Sequence, residues 1–324
     1  MRACLDCLPC LARNAIDLAR KSAQGDASLE ARIAAEGMRI LGRAADEGYA
    51  LPPPCYARQL IDNALATCGG AVPDPWAAEK KTSTELALKL MERLDAIPGW
   101  KDNREATGLP HSRTLPSSPG SGNPAVSSSD FERRLRLAVA GNILDFSVYA
   151  DLDIAAAMET MEEAFTKPVE TASVAELKRR MDEAKSILWV FDNCGEAVFD
   201  RPLMEPYRRK ITLAVRGRPA FNDVTRAELA ASGYAADFAA GGVVSNDDGV
   251  PGVVDATCGD AFRAAFTAAD LVVAKGQANF ETMNERTDKP IAFLFLAKCP
   301  VVCRTVGAEQ HAIQVLLRNF SAQR

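Results

Sequence analysis

An acidic and an amide side chain stand directly after an apolar run in the segment Ser186–Asp200, SILWVFDNCGEAVFD. The run Ile187–Phe191 ends at Asp192 and Asn193, and a small Cys-Gly turn follows. Adjacent carboxylate and amide oxygens are ligands that suit Mg, Mn and related cations. The same Asp-Asn-x-Gly spacing is also good turn chemistry. Taken alone, the segment is compatible with a metal site and with an ordinary turn.

Segments that contain polar residues and a glycine also follow the next apolar runs. They are Arg216–Asp223, Ser245–Gly249 and Lys275–Glu281. Asp223 supplies a second carboxylate, and Arg216 and Lys275 supply positive charge. Lys275 precedes a glycine and helix-forming residues, whose backbone N–H groups can bind an anion. Sites that hydrolyse or transfer a phosphoryl group combine a bound cation, positively charged side chains and an anion-binding site. Either a water or Asp192 itself is a candidate nucleophile, and the sequence leaves that choice open.

Short apolar strands alternating with helices would bring these segments together. Strands are predicted at Ile187–Phe191, Ile211–Val215, Gly242–Ser245, Leu271–Ala274, Ile291–Leu296 and Val301–Arg304. Helical runs are predicted between them at Glu196–Lys210, Asn222–Ala231 and Cys258–Ala269. This alternation predicts an α/β fold with a Rossmann-like, mostly parallel sheet and flanking helices. The carboxyl ends of its strands share one edge, where such sheets bind ligands.

The amino-terminal part of the chain is predicted to be helical. Apolar residues at helical spacing and abundant alanine and leucine cover roughly the first 95 residues. Residues 101–130 are rich in Ser, Pro and Gly and are predicted to form a flexible loop that contains His111. We therefore expect a helical region at 1–150 and a Rossmann-like domain, which carries the metal site, at 151–324.

Two polar side chains interrupt an apolar helix predicted from Phe131 to Tyr149. Asn142 and Asp145 lie among Leu, Ala, Val and Phe residues, next to Gly141. Burying an unpaired amide or carboxylate costs a few kcal/mol, so both side chains are expected to meet partners or a ligand. The alternatives are a helix end and a packing glycine.

A second possible site is a thiol cluster at the start of the chain. Cys4, Cys7 and Cys10 form two overlapping CxxC pairs, which can bind a metal or cycle as a dithiol. Cys55 or Cys68 could supply a fourth ligand, although no spacing requires it. Thiols without a chemical role are the alternative.

Bulk properties exclude several classes of protein. A net charge of −5 over 324 residues gives no electrostatic case for nucleic acid or an anionic membrane as partner. No apolar run approaches the ~20 residues of a membrane span. An odd number of cysteines, nine, favours reduced thiols and a cytoplasmic location. The chain lacks G-x-G-x-x-G after its first strand and lacks a P-loop.

Six segments match one known family in order across nearly the whole chain: Cys7–Cys10, Ala140–Phe146, Asp192–Glu196, Arg216–Asp223, Asp270–Glu281 and Ala297–Val302. The chain resembles the DUF89 family, also described as damage-control phosphatases or the ARMT1-like domain family. The resemblance is to the prokaryotic subgroup that has an amino-terminal CxxC. Cys194 and Ala278 depart from the residues usual in that family.

The resemblance implies a metal-dependent phosphatase that hydrolyses small phosphometabolites such as sugar phosphates, with Mn, Co, Ni or Mg as cofactor. It implies that Asp192, Asn193 and Asp223 bind the metal. It also implies that Glu196, Arg216 and Lys275 contact the substrate or its phosphate, with Asn142, Asp145 and Asn279 nearby. We count Lys275 with the metal ligands as catalytic.

Two other classes of function remain open on the sequence. One is a thiol-metal binding or sensor protein that uses the cysteine cluster. The other is a Rossmann-like methyltransferase, which would bind adenosylmethionine without a metal requirement. The physiological substrate, the native metal and the oligomeric state are not predicted.

Overall fold

A computed structural model describes residues 1–69, 74–97, 100, 126–142, 154–235 and 238–320. Asp145 and His111 lie outside the described residues, as does the predicted loop up to residue 125. Within the described ranges, every helix is too short or too polar to cross a membrane.

Three helices form a bundle at the amino terminus. A 3-10 turn at Leu5–Cys7 leads into α1 (Leu8–Ala23), α2 (Ala27–Asp46) and α3 (Pro53–Thr67). Asp26 caps α2 by accepting hydrogen bonds from two backbone N–H groups that have no partner inside the helix. The apolar faces of the three helices pack on each other in a core of their own, separate from that of the sheet.

Within the described ranges, the helices between this bundle and the sheet include α4 (Ala77–Glu92), α5 (Ser128–Ala140), α6 (Ile154–Thr166) and α7 (Thr171–Glu183). Helix α5 is shorter than the predicted run to Tyr149, of which residues 143–149 lie outside the described residues. Phe131 and Leu135 of α5 are fully buried in the core of the sheet. Gly141 follows α5 and lies against the backbone of Glu196, where a Cβ would come within 3.1 Å of that residue's Cα.

The central sheet has six strands: β1 (Ile187–Val190), β2 (Ile211–Val215), β3 (Val243–Ser245), β4 (Leu271–Lys275), β5 (Ile291–Leu296) and β6 (Ile313–Arg318). Their order is β3-β2-β1-β4-β5-β6. The first five strands are parallel and β6 is antiparallel to β5. Strands β1, β4 and β5 are buried throughout, as expected for a sheet covered on both faces. The predicted mostly parallel α/β fold is confirmed.

The helices after each strand are α8 (Cys194–Met204), α9 (Arg226–Ala231), α10 (Asp260–Ala268), α11 (Gln277–Met283) and α12 (Pro300–Val306). A 3-10 helix at Glu205–Lys210 extends α8. Strands β1 and β4 are neighbours in the middle of the sheet, where the strand order changes direction. This is the topological switch point, where doubly wound sheets open a crevice for a ligand.

The predicted strand at Val301–Arg304 is wrong, because these residues lie in α12. Pro300 occupies the first turn, where its missing N–H costs nothing, and the Cys299 side chain caps the helix. Of the run from Val301 to Arg304, only Val302 is buried, so one face of a helix accounts for its apolar residues. The sixth strand instead comes later, at Ile313–Arg318.

Candidate active site

The ends of β1 and β2 are joined by backbone hydrogen bonds. Asn193 and Asp223 form an isolated antiparallel bridge, and the Val224 N–H donates to the Asp192 carbonyl at 2.9 Å. The Cys194 N–H, which begins α8, donates to the Asn222 carbonyl at 2.9 Å. The structure therefore brings Asp192, Asn193 and Asp223 to one place.

Three carboxylates share few hydrogen-bond donors at this place. The Asn193 amide nitrogen donates to Asp192 Oδ2 at 3.2 Å and to Glu196 Oε1 at 2.5 Å. The Asn142 amide nitrogen also donates to Glu196 Oε1, at 2.5 Å, and lies 3.5 Å from Asp192 Oδ2. The Leu296 N–H holds Asn142 from the other side, at 3.3 Å from its Oδ1. Asn142 therefore has the partners that its apolar surroundings require.

The start of α11 leaves room for Asp192 only because residue 276 is glycine. Gly276 has φ +78°, and a Cβ built on it would stand 1.9 Å from Asp192 Oδ2. Both the left-handed backbone and the close approach favour glycine here.

Burial and crowding oppose ionisation of the acids. Burial, followed by the nearby Glu196 and Asp223, raises the pKa of Asp192 well above its usual range. Burial also raises the pKa of Asp223, although Arg216 opposes this change. The acids at this place outnumber the cations close to them. A bound divalent cation would reduce the repulsion between their negative charges.

These side chains fit a hard divalent cation. Asp192 and Asp223 offer carboxylate oxygens, and a half-turn of the Asn193 amide would present its carbonyl oxygen. Among the described residues, no cluster of three or more His, Cys, Asp or Glu side chains has a metal-binding arrangement. The fit therefore rests on two acids and one amide, which is the donor set named from the sequence.

Arg216 lies behind these acids and is 2% exposed. Its Nε donates to Asp223 Oδ2 at 2.6 Å, and its two terminal nitrogens reach the Gly252 carbonyl at 2.7 Å and Asn279 Oδ1 at 3.1 Å. Asn279 in turn donates to the carbonyls of Phe191 and Lys275, at 3.1 and 2.7 Å. Arg216 and Asn279 thus tie the ends of β1, β2 and β4 together.

Lys275 also lies behind the acids and is fully buried. Its Nζ is 2.5 Å from Asp200 Oδ1, 3.6 Å from Glu196 Oε2 and 2.8 Å from the Ala138 carbonyl. Burial lowers the pKa of Lys275, but the acids Asp200 and Glu196 outweigh it, and the net pKa is raised. Lys275 is therefore a charged partner of α8 and of the carboxyl-terminal end of α5.

Asp200 was missed from the sequence. It is 1% exposed, accepts from Trp189 Nε1 at 3.3 Å, and has its pKa raised to about 6 by burial, against the pull of Lys275. The available signal was its spacing of four residues from Glu196, which places both acids on one face of α8.

A cavity of about 860 Å³ opens above the acids. Asn142, Asp192, Asn193 and Asp223 line it, whereas Glu196, Arg216, Lys275 and Asn279 do not. Its walls come from α1, α3, α4, α11 and α12 and from the loop before Asp223. Wall residues that sequence reasoning missed include Asn14, Lys21, Trp76, Glu79, Phe221, Gln277, Glu281, Lys298 and Arg304.

The thiol cluster borders the same cavity. Cys4 Sγ lies 3.8 Å from Cys7 Sγ, and Cys7 and Cys10 line the cavity wall. Burial raises the pKa of Cys7 to about 12, which favours the neutral thiol. Cys55 and Cys68 are free thiols like the other cysteines. A chemical role for Cys4, Cys7 and Cys10 stays a prediction.

Fold and site together define a class, namely a doubly wound α/β protein with buried acidic side chains at its switch point. Residues 3–313 match the family described as damage-control phosphatase ARMT1-like domain. The chain belongs to this family, and the resemblance drawn from its motifs is confirmed.

Two relatives carry the name damage-control phosphatase. Damage-control phosphatase PH1575 of Pyrococcus horikoshii is 35% identical over 195 residues, which are 59% of this chain and 66% of that protein. That match spans just under two thirds of the Pyrococcus protein. A damage-control phosphatase of Archaeoglobus fulgidus is 28% identical over 292 residues, which are 86% of this chain and 90% of that protein.

A solved structure has the same fold. The crystal structure of a DUF89 family protein (PH1575) from Pyrococcus horikoshii superposes with a TM-score of 0.77 at 24% identity. The superposition covers 98% of this chain and 99% of that one.

Proposed function

We propose that this protein is a divalent-metal-dependent phosphatase that hydrolyses small phosphometabolites such as sugar phosphates. The observation that carries the proposal is the meeting of Asp192, Asn193 and Asp223 at the switch point, facing a cavity large enough for a metabolite. Membership of the damage-control phosphatase family and the names of the two relatives support it.

Asp192, Asn193 and Asp223 would hold the cation, with Mn, Co, Ni or Mg as candidates. When bound, such a cation polarises phosphate oxygens and lowers the pKa of a water ligand. The oxygen donors of the site suit Mg and Mn most directly.

The residues behind the site would hold the acids in position. Arg216 fixes the Asp223 carboxylate through its 2.6 Å hydrogen bond, which leaves the other oxygen of that carboxylate for a ligand. Lys275 would balance the charges of Glu196 and Asp200 at the base of α8. Direct substrate contact by Glu196, Arg216, Lys275 or Asn279 stays a prediction.

Positive side chains in the cavity would attract a phosphate. Lys298 lines the cavity after β5, and its charge opposes the rise in the pKa of Asp192 that burial causes. Arg304 of α12 lies on the same wall. Both would bind a phosphate by charge-assisted hydrogen bonds.

The experiment measures phosphate release from a panel of phosphosugars by protein treated with a chelator and then given Mg, Mn, Co or Ni. We expect activity to return with at least one metal, and the substitution Asp192→Asn to lower kcat by about 1,000-fold. The same substitution should abolish the rise in Tm that the metal causes.

Asp260→Asn is the matched control, because the Asp260 side chain is 97% exposed and lies in α10. It should leave both activity and the metal-dependent Tm unchanged. Full activity in the chelated protein, or in Asp192→Asn, would contradict the proposal. Loss of activity on Cys4→Ser or Cys7→Ser with Asp192→Asn unaffected would favour the thiol-metal alternative.

A further inference from the structure

We propose that Trp76 and Phe221 form a subsite for a ring in the non-phosphate part of the substrate. The preferred substrate would then be a phosphomonoester whose alcohol presents a flat apolar face, either an aromatic ring or a closed sugar ring. The inference rests on the proposed function, since the phosphate end would bind beside Asp192 and Asp223.

The aromatic pair lies on the cavity wall close to the acids. Phe221 comes two residues before Asp223, and Trp76 directly precedes α4. Their ring centroids are 5.3 Å apart, with a tilt of 60° between the planes. Both residues line the cavity that contains Asp192, Asn193 and Asp223. The pair and the acids therefore border the same space.

The two rings differ in exposure. Trp76 is 4% exposed and packs in the core of the amino-terminal helices, whereas Phe221 is only half-buried. Trp76 thus supports the ring of Phe221, and Phe221 offers the contact surface. Tilted aromatic pairs of this kind hold each other in a fixed orientation.

The backbone of Phe221 adds an independent observation. Its φ is +47°, in the left-handed region that bulky residues rarely adopt. The next residues close a turn, in which the Asp223 N–H donates to the Ala220 carbonyl at 3.0 Å. Glycine or asparagine would fit this turn without steric cost. A strained backbone beside a candidate metal site indicates that the side chain itself has a use.

Apolar residues of α3 also line the cavity, which is larger than a phosphate needs. Pro53, Pro54 and Ala57 of α3 line it together with the aromatic pair. The volume of about 860 Å³ falls in the range of sites for metabolite-sized ligands. Flat rings gain most from such a wall, because aromatic stacking adds to the burial of apolar area. A flexible open chain gains less and loses conformational freedom.

The test compares glucose 6-phosphate, its open-chain counterpart sorbitol 6-phosphate, and benzyl phosphate, in the metal-loaded protein. The two sugar esters carry the same phosphate on a primary carbon and differ in the ring, which sorbitol 6-phosphate cannot close because its C1 is reduced to an alcohol. We expect kcat/KM for both ring esters to exceed that for sorbitol 6-phosphate by about tenfold or more. Phe221→Leu should remove this preference and leave kcat/KM for sorbitol 6-phosphate within about twofold. Preference for only one ring ester identifies the ring type.

Phe165→Leu is the matched control, because Phe165 forms a similar pair with Trp100, at 6.4 Å, outside the cavity. It should keep the ring preference. Trp76→Phe retains an aromatic support and should reduce the preference by no more than about threefold. An equal loss for all three esters in Phe221→Leu, or no ring preference in the unaltered protein, would overturn the inference.

A binding measurement separates this inference from the proposed function. Calorimetry with benzylphosphonate and methylphosphonate, in the presence of Mn²⁺, needs no turnover. We expect the benzyl compound to bind the unaltered protein about tenfold more tightly, and Phe221→Leu to bind both alike. If no ester is hydrolysed yet this difference appears, the proposed function fails and the subsite stands. Equal affinities in the unaltered protein would remove the subsite.

Discussion

Two layers of charged side chains lie at the same edge of the sheet and differ in how their charges are balanced. The front layer, Asp192, Asn193 and Asp223, faces the cavity, and within the part of the chain that the structure describes only Asp223 is directly paired with a cation, Arg216. In the back layer, Arg216, Lys275, Asp200 and Asn279, each charged or amide group has close protein partners. Similar residue types therefore serve two purposes. Uncompensated charge at a cavity favours a ligand, whereas compensated charge in the interior supports the fold.

Glu196 lies between the two layers. Its Oε1 accepts from Asn142 and Asn193 of the front side, at 2.5 Å each. Its Oε2 is buried, has no hydrogen bond from any described residue, and lies 3.6 Å from Lys275 Nζ. A change in either layer should therefore reach the other through Glu196.

Replacing the central back-layer cation should have the largest effect on stability. Lys275→Met would leave Asp200 and Glu196 buried without their cation, so we expect the free energy of unfolding to fall by about 3–5 kcal/mol. Urea unfolding followed by tryptophan fluorescence would measure it. Adding Asp200→Asn should recover part of the loss, because one uncompensated charge is then removed.

Lys81→Met is the control for that prediction, since the Lys81 side chain is 78% exposed. It should change the free energy of unfolding by less than about 0.5 kcal/mol. If Lys275→Met unfolds like the unaltered protein but has lost phosphatase activity, Lys275 belongs with the catalytic residues, as the sequence predicted.

A change that displaces a front-layer side chain should instead affect activity more than stability. In Gly276→Ala the added Cβ would overlap Asp192 Oδ2, so that carboxylate must move. We expect kcat/KM for phosphate release to fall by about 100-fold, equivalent to about 2.7 kcal/mol, with weaker Mn²⁺ binding by calorimetry.

Gly307→Ala is the control for replacing a glycine of positive φ without a steric contact. Gly307 has φ +72° and ψ 32°, whereas Gly276 has φ +78° and ψ 161°, and an added Cβ at Gly307 would have nothing within 4 Å. The activity and Mn²⁺ affinity of Gly307→Ala should be unchanged. Equal losses in both variants would mean that a general effect of replacing such a glycine, rather than displacement of Asp192, explains the result.

Glu281 lines the cavity, and burial is what raises its pKa. Its contribution to the pH dependence of stability should be the smallest of the three effects. Burial raises its pKa from 4.5 to about 7, against the hydrogen bond from Gln277. Between these two values the unfolded chain has released the proton that the folded chain retains. Stability should therefore fall as pH rises through this window and level off above it.

Glu281→Gln should flatten that pH dependence in thermal melts recorded from pH 4.5 to 8. Gln310→Glu, which places a carboxylate at an exposed position, is expected to leave the slope unchanged. A slope that persists in Glu281→Gln would assign the titration to other groups, such as the front-layer acids.

The sheet and the meeting of its loops were open to sequence reasoning because the signals are local. Strands β1 to β4 are apolar runs that are followed by polar segments containing a glycine, and parallel pairing then brings these segments to one edge. The strand predicted at Val301 was wrong because that prediction rested on the local apolar run. The residues that favour a helix there are only two, Pro300 in the first turn and the capping residue Cys299.

The division into layers and the cavity walls could not be predicted in this way. The Lys275 side chain could point into the cavity or toward Asp200. Its direction depends on the rotation of α8 and on where α5 ends. Both of these are set by packing between distant segments. Trp76 and Phe221 are 145 positions apart in the chain. Their contact exists only once the amino-terminal helices have packed on the sheet.

The floor of the cavity and much of its wall belong to separate hydrophobic cores. Strand ends supply the acids, whereas α1 and α3 contribute wall residues from a bundle with a hydrophobic core of its own. Mutations in that bundle can reshape the chamber without disturbing the acids that would perform hydrolysis. Related proteins could thus differ in substrate preference while keeping the same acids at the strand ends.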